Sequence, residues 1–260
     1  MNRAVRWVEL DKEISVKLIA AQYPEDREII PHYFYITSDL TRSVLDEGEF
    51  ITPRKLPLIN DILGKLTNIE ADYFIYTNVD IGVMPHFYSS VSKYIDDGYD
   101  ALIINRRTVS GHYNSIKDLS YIYSEIGEIH EGYDCFVFSK EIFPKLALGK
   151  IAIGAPVVGL ALFVHLFCLS KQFKLVDNSH LTFHIGNDRV WDNNNLTDYR
   201  SHNIKEFDLV MNMLKDKGHQ VDTALEYRKR YQEKNGFIAK RKRRQNLIER
   251  SVSFLNKKAN

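Results

Sequence analysis

Asn78 and Asp80 stand two residues apart in the run Thr77-Asn78-Val79-Asp80, directly after the apolar stretch Tyr73-Phe74-Ile75-Tyr76. In an extended turn, residues two apart face one side, so a carboxylate and an amide carbonyl converge there. Such oxygen donors suit Mg²⁺ or Mn²⁺, hard cations that keep several positions for water or phosphate oxygens. A cation so placed would hold a diphosphate and neutralise the charge that grows on it when its bond to another group breaks. Asn and Asp also favour turns for their own sake, and the same pair suits a strand end with no ligand.

The strand that delivers this pair spans 72–76, and in open α/β sheets ligands collect at the carboxyl ends of strands. Around it, apolar runs predict a first buried strand over 14–21, a second over 33–37, and later ones over 100–105, 135–138, 174–176 and 181–184. Leu56, Ile59, Leu63 and Leu66 recur at helical spacing and predict a helix over 55–66, with Pro57 in its first turn. Further helices are expected over 86–96, 116–125 and 203–214. The alternation predicts an α/β fold with a mostly parallel, Rossmann-like sheet flanked by helices.

The chain has 260 residues, of which 44% are hydrophobic and 12% aromatic, so it can bury a core and is not disordered. Lys+Arg (35) balances Asp+Glu (34), leaving no general field for a polyanion, and no nucleic-acid motif is present. Cys135 and Cys168 lie in apolar runs, which suits reduced cysteines in a cytosolic protein. Charges follow the first residues, so neither a signal peptide nor an anchor is expected at the N-terminus. Residues 151–170 carry no charge, but Gly154-Ala155-Pro156 and His165 interrupt them, which predicts a buried core helix over about 156–169 rather than a membrane span. One domain over 1–235 is expected, then a tail over 236–260. Lys240-Arg241-Lys242-Arg243-Arg244 precedes Leu247, Ile248, Val252, Phe254 and Leu255, a basic amphipathic helix suited to an anionic membrane surface, a partner subunit, or packing on its own domain.

The run from Arg54-Lys55 to Asn60, the strand Ala71-Asp72-Tyr73-Phe74-Ile75-Tyr76 and the motif Asn78-Val79-Asp80 resemble the GT-A-fold glycosyltransferases, whose corresponding motif is Asp-x-Asp. Gly132-Tyr133-Asp134-Cys135-Phe136-Val137-Phe138 resembles their acceptor-side segment, and His184 their late metal-ligating histidine; together these motifs cover residues 14–190. The resemblance implies hexosyl transfer from a nucleotide-sugar donor to a saccharide or lipid-linked acceptor, as in bacterial surface-polysaccharide synthesis. The basic run 240–244 would then keep this cytoplasmic enzyme at the inner membrane face. Gln22 and Tyr23 would then lie near the base or ribose and Lys55 near the phosphates. Asp80, with Asn78 and His184, would hold Mn²⁺ or Mg²⁺, and Asp134 would meet the acceptor. Asn78 replaces a carboxylate, which implies weaker metal binding, or none, with Arg106, Arg107, Lys55 and Arg54 as alternative diphosphate ligands.

Each of these residues also has a structural reading: His184 as a core histidine, Asp134 as a loop former, Lys55 as a helix-surface lysine. A nucleotidyltransferase would carry a Gly-rich basic loop after its first strand, whereas Gln22-Tyr23-Pro24-Glu25-Asp26 has neither glycine nor positive charge. A non-catalytic sugar- or partner-binding module on the same fold is the other reading.

Overall fold

The computed structural model describes residues 1–9, 13–177, 179–187 and 196–237; the basic block 240–244 and the apolar stripe after it lie outside the described residues. In chain order the elements are α1 (Asn2–Val8), β1 (Ile19–Ala20), β2 (Tyr35–Ile36), α2 (Ile59–Gly64), β3 (Tyr73–Thr77), β4 (Gly82–Val83), α3 (Phe87–Asp96), β5 (Ala101–Ile104), β6 (Arg107–Val109), α4 (Leu119–Ser124), β7 (Glu128–Ile129), β8 (Cys135–Ser139), α5 (Val158–Leu169), β9 (Phe173–Val176), β10 (Thr182–Ile185), α6 (Thr197–Asp216) and α7 (Val221–Lys234). Two units make up the chain, Met1–His219 and Gln220–Asn260. That division falls ahead of the boundary at 235 read from the charge pattern, so α7 belongs to the second unit.

The main sheet has the order β3-β8-β5-β9. β5 and β9 are parallel, but β8 runs antiparallel to both β3 and β5. The sheet is therefore mixed rather than mostly parallel in its pairing. The cause is the path of the chain: it leaves β5 at Ile104 for an excursion and re-enters at Cys135, the residue paired with Ile104, so β8 must run back along β5. All residues of β5 and β8 are buried, as expected of apolar strands covered on both faces.

One face is covered by α1 and α3, through Ala4, Val8, Phe87, Tyr88 and Val91 packed with Leu102, Ile104, Cys135 and Val137. The other is covered by α5, whose Gly159 approaches Phe136. Six consecutive α5 residues, Ala161 to Leu166, are buried. Burial supplies about 1.5–3 kcal/mol for each large apolar side chain, which outweighs the cost of enclosing His165. That ring also meets two carbonyl oxygens, Ala161 O at 2.8 Å and Ala147 O at 3.1 Å. The expected core helix is thus present, starting at Val158 after the left-handed Val157 (φ 77°). No helix among the described residues is long and apolar enough to cross a membrane.

Two other expectations change. Residues 14–18 alternate half-buried and exposed instead of forming a buried strand, with Ile14, Val16 and Leu18 turned to the core; the ladder is limited to β1 with β2. The helix expected from 55 begins only at Ile59, because Leu58 is extended and bridges Ala152 while Ile153 N–H donates to Pro57 O. Long-range backbone pairing here wins over helical spacing.

The excursion after β5 contributes β6 and β7 to a second sheet of order β4-β10-β6-β7, which β4, from before β5, and β10, from after β9, complete. β10 lies between β4, to which it is antiparallel, and β6, to which it is parallel. Gly82 lies under the Phe183 ring, where any Cβ would overlap it.

Candidate active site

Strand pairing brings distant residues to one end of the main sheet. Thr77, the last residue of β3, pairs with Cys135, the first of β8, so Asn78 and Asp134 leave and enter the sheet side by side. Ile104 also pairs with Cys135, which places Asn105 and Arg106 at the same end. β4 begins two residues after Asp80 and pairs with β10 through Gly82 and Phe183, which carries His184 to Asp80. Asp80 Oδ2 and His184 Nε2 are 3.2 Å apart. Nδ1 of the same ring faces Gly186 O at 2.9 Å, fixing the imidazole from behind.

Electrostatics separates the two carboxyl groups of this cluster. The hydrogen bond from His184 holds Asp80 below the usual Asp range, while Asp80 in turn raises His184. Asp134 is pushed the other way, first by burial and then by the charge of Asp80, against the pull of Arg106. Arg106 Nε stands 3.3 Å from Asp134 Oδ2, with both side chains largely buried. Neither of these two enclosed atoms makes an aligned hydrogen bond among the described residues, so their contact is that of an ion pair. Arg106 Nη2 also lies 3.4 Å from His130 Nε2.

The loop that presents Asp134 is held from two sides. Asn105 Nδ2 donates to His130 O (2.6 Å) and Gly132 O (2.9 Å), and the Tyr133 ring stacks on Phe163 of α5 at 5.1 Å. Gly159 is required there, because a Cβ would stand 2.8 Å from Tyr133 O.

The structure therefore brings Asn78, Asp80, Arg106, Asp134 and His184 to one sheet end. Gln22, Tyr23 and Lys55 form a separate group, with no hydrogen bond to that cluster among the described residues. Gln22 is buried and donates to Thr37 O (2.9 Å) and Asp39 Oδ1 (3.0 Å). Lys55 Nζ lies 4.0 Å from the centre of the Tyr23 ring and 2.5 Å from Glu25 Oε1. Arg107 sits in β6 opposite Phe183, and Arg54 donates its backbone N–H to the Tyr199 hydroxyl at 2.6 Å.

Sequence reasoning missed Tyr76, Asn105 and His130. Tyr76 reads as one more strand residue, yet its hydroxyl, on a half-buried side chain, donates to Asn78 Oδ1 at 3.1 Å, and burial with the charges of Asp134 and Asp80 raises its pKa. Asn105, a polar residue closing an apolar strand, was the available signal for the second.

The donor set has been read as a cation site. Among the described residues no group of three or more His, Cys, Asp or Glu side chains is arranged to hold a metal ion. One carboxylate and one imidazole do converge, which fits a divalent cation that draws its other ligands from phosphate and water.

No protein-family model matches the chain, and no curated protein matches it. Two similar solved structures are S. aureus TarS 1-349 in complex with UDP-GlcNAc, at TM-score 0.41 and 9% identity, and S. aureus TarS 1-349 alone, at 0.40 and 8%. These matches take in 67% and 75% of this chain, which spans 51% and 65% of the two TarS chains. The likeness is too slight to carry function, which rests on the site's own residues.

Proposed function

We propose that the chain is a GT-A-type glycosyltransferase that moves a sugar from a nucleotide-diphosphate donor to a hydroxyl of a saccharide or lipid-linked acceptor. The observation that carries this reading is the pair of carboxyl groups at one sheet end, Asp80 Oδ2 lying 3.2 Å from His184 Nε2 and Asp134 Oδ2 3.3 Å from Arg106 Nε. Paired acids with opposed shifts divide a site into a charge-holding half and a proton-handling half. The order of 54–80, 132–138 and His184 supports the choice of glycosyl transfer over other uses of such a pair.

Asp80 and His184 are the residues that would hold Mn²⁺ or Mg²⁺, which when bound would supply positive charge to the departing diphosphate. Arg106 would add fixed charge beside it. In an inverting reaction the acceptor oxygen bonds to the anomeric carbon, the bond from that carbon to the diphosphate breaks, and the acceptor proton passes to the Asp134 carboxylate. Arg106 opposes protonation of that carboxylate beforehand. In a retaining reaction Asp134 would position the acceptor.

The test is release of nucleoside diphosphate from a panel of UDP-, GDP-, CDP- and ADP-sugars. Even slow hydrolysis of one donor supports the enzyme. Nucleotide binding without release under any metal supports a binding module, the reading favoured by Asn78 in place of a carboxylate.

A further inference from the structure

Asn78 was read as an oxygen donor to a cation, but its oxygen has another partner. The Tyr76 ring lies against Phe136 with centroids 6.2 Å apart, and its hydroxyl donates to Asn78 Oδ1 at 3.1 Å. A phenol hydroxyl held among protein groups favours an acceptor for its proton, and Asn78 Oδ1 is the acceptor that the half-buried Tyr76 finds among the described residues. Turning the amide over would direct its nitrogen to the hydroxyl and leave that proton without a partner. The Thr77 hydroxyl donates to Asn78 O at 2.7 Å, so the backbone carbonyl of the same residue is engaged as well.

The amide nitrogen of Asn78 makes no hydrogen bond among the described residues, and the residue is half-buried at the sheet end shared with Asp80, Arg106 and Asp134. An amide oriented in this way offers two N–H donors. A carboxylate at 78 would repel a diphosphate unless a cation stood between them, whereas N–H groups attract it directly through charge-assisted hydrogen bonds. Resting on the reading of this site as a nucleotide-sugar site, we propose that Asn78 binds the donor's diphosphate through its amide nitrogen. Tyr76 is then a positioning residue, which holds the amide in that orientation through its oxygen. The replacement of a carboxylate by Asn78 is, on this account, an exchange of a cation ligand for a direct phosphate ligand.

The experiment is calorimetric titration with inorganic pyrophosphate, UDP, GDP, CDP and ADP, each with and without Mn²⁺, on the wild type, Asn78→Asp, Asn78→Ala, Tyr76→Phe and the Tyr76→Phe/Asn78→Ala double variant. Circular dichroism confirms that each is folded. Asn78→Asp is expected to bind about tenfold more weakly in both conditions, as for loss of a hydrogen bond to a charged group. Tyr76→Phe is expected to bind about threefold more weakly, and to have no further effect once Asn78 is Ala, because coupled residues are non-additive. Equal or tighter binding by Asn78→Asp in Mn²⁺ would make Asn78 an oxygen ligand and overturn the proposal while leaving the glycosyltransferase reading in place. A Tyr76→Phe loss that persists in the Asn78→Ala background would overturn the positioning role. Failure of the wild type to bind any of these probes would overturn the functional reading, and this proposal with it.

Discussion

In the inverting reaction proposed above, chemistry depends most directly on Asp134, whose largely buried carboxyl lies 3.3 Å from Arg106 and feels the charge of Asp80. Its raised pKa fixes the sign of a pH effect: a base must be deprotonated, so activity is lost as pH falls through the raised value. The acid limb of donor turnover is therefore expected above the ordinary Asp range, and a limb at or below about pH 4 would contradict the assignment. Asp134→Asn keeps the shape and removes the base. It is expected to reduce turnover about a hundredfold or more while leaving nucleotide binding intact. Removing either partner of the buried Arg106–Asp134 ion pair costs about 3–5 kcal/mol, so turnover of Asp134→Asn is compared with the wild type where circular dichroism shows both folded. Asp80 and Asp134 were legible in the sequence because carboxylates beside apolar strands stand out. Tyr76 and His130 were not, since a tyrosine in a strand and a histidine in a loop have no periodic signature, and their contacts depend on how β3, β5 and β8 align.

Placement of Asp134 depends on elements far from it in sequence. A Cβ added at Gly159 on α5 would stand 2.8 Å from Tyr133 O, and that atom is backbone with little room to move. Gly159→Ala is expected to destabilise the fold by about 1–3 kcal/mol and to lower turnover by shifting the 130–134 loop. The control is Gly64→Ala at the end of α2, where nothing lies within 4 Å of the added carbon; it is expected to be neutral or slightly stabilising. Equal denaturation midpoints for the two variants would contradict the packing account. Apolar runs made β5, β8 and α5 legible, because strands and helices buried on every side leave no polar alternation to mistake. The direction of β8 was not legible, since periodicity carries no sense of orientation. Nor was the late start of α2, which depends on pairing between residues 57–59 and 151–153.

For the whole molecule, balanced charge leaves any surface attraction to a local patch, and the concentrated one is Lys240-Arg241-Lys242-Arg243-Arg244. At about 1 kcal/mol per basic residue near an anionic surface, five suffice for peripheral attachment, which we propose as this segment's role. The full chain is expected to sediment with phosphatidylserine vesicles at low salt and a 1–235 truncation to remain in the supernatant; a truncated chain that still sediments would contradict it. The division after His219 was not visible in composition, because α6 and α7 are both amphipathic helices rich in charge. On the proposed reading, the sheet end around Asp80 binds a nucleoside diphosphate. Calorimetric titration of the wild type and Asp80→Ala with UDP, GDP, CDP and ADP, each with and without Mn²⁺, tests it most directly. Binding of one nucleotide by the wild type and its loss in Asp80→Ala is the predicted result; binding undiminished in the variant, or no binding to any nucleotide, would contradict it.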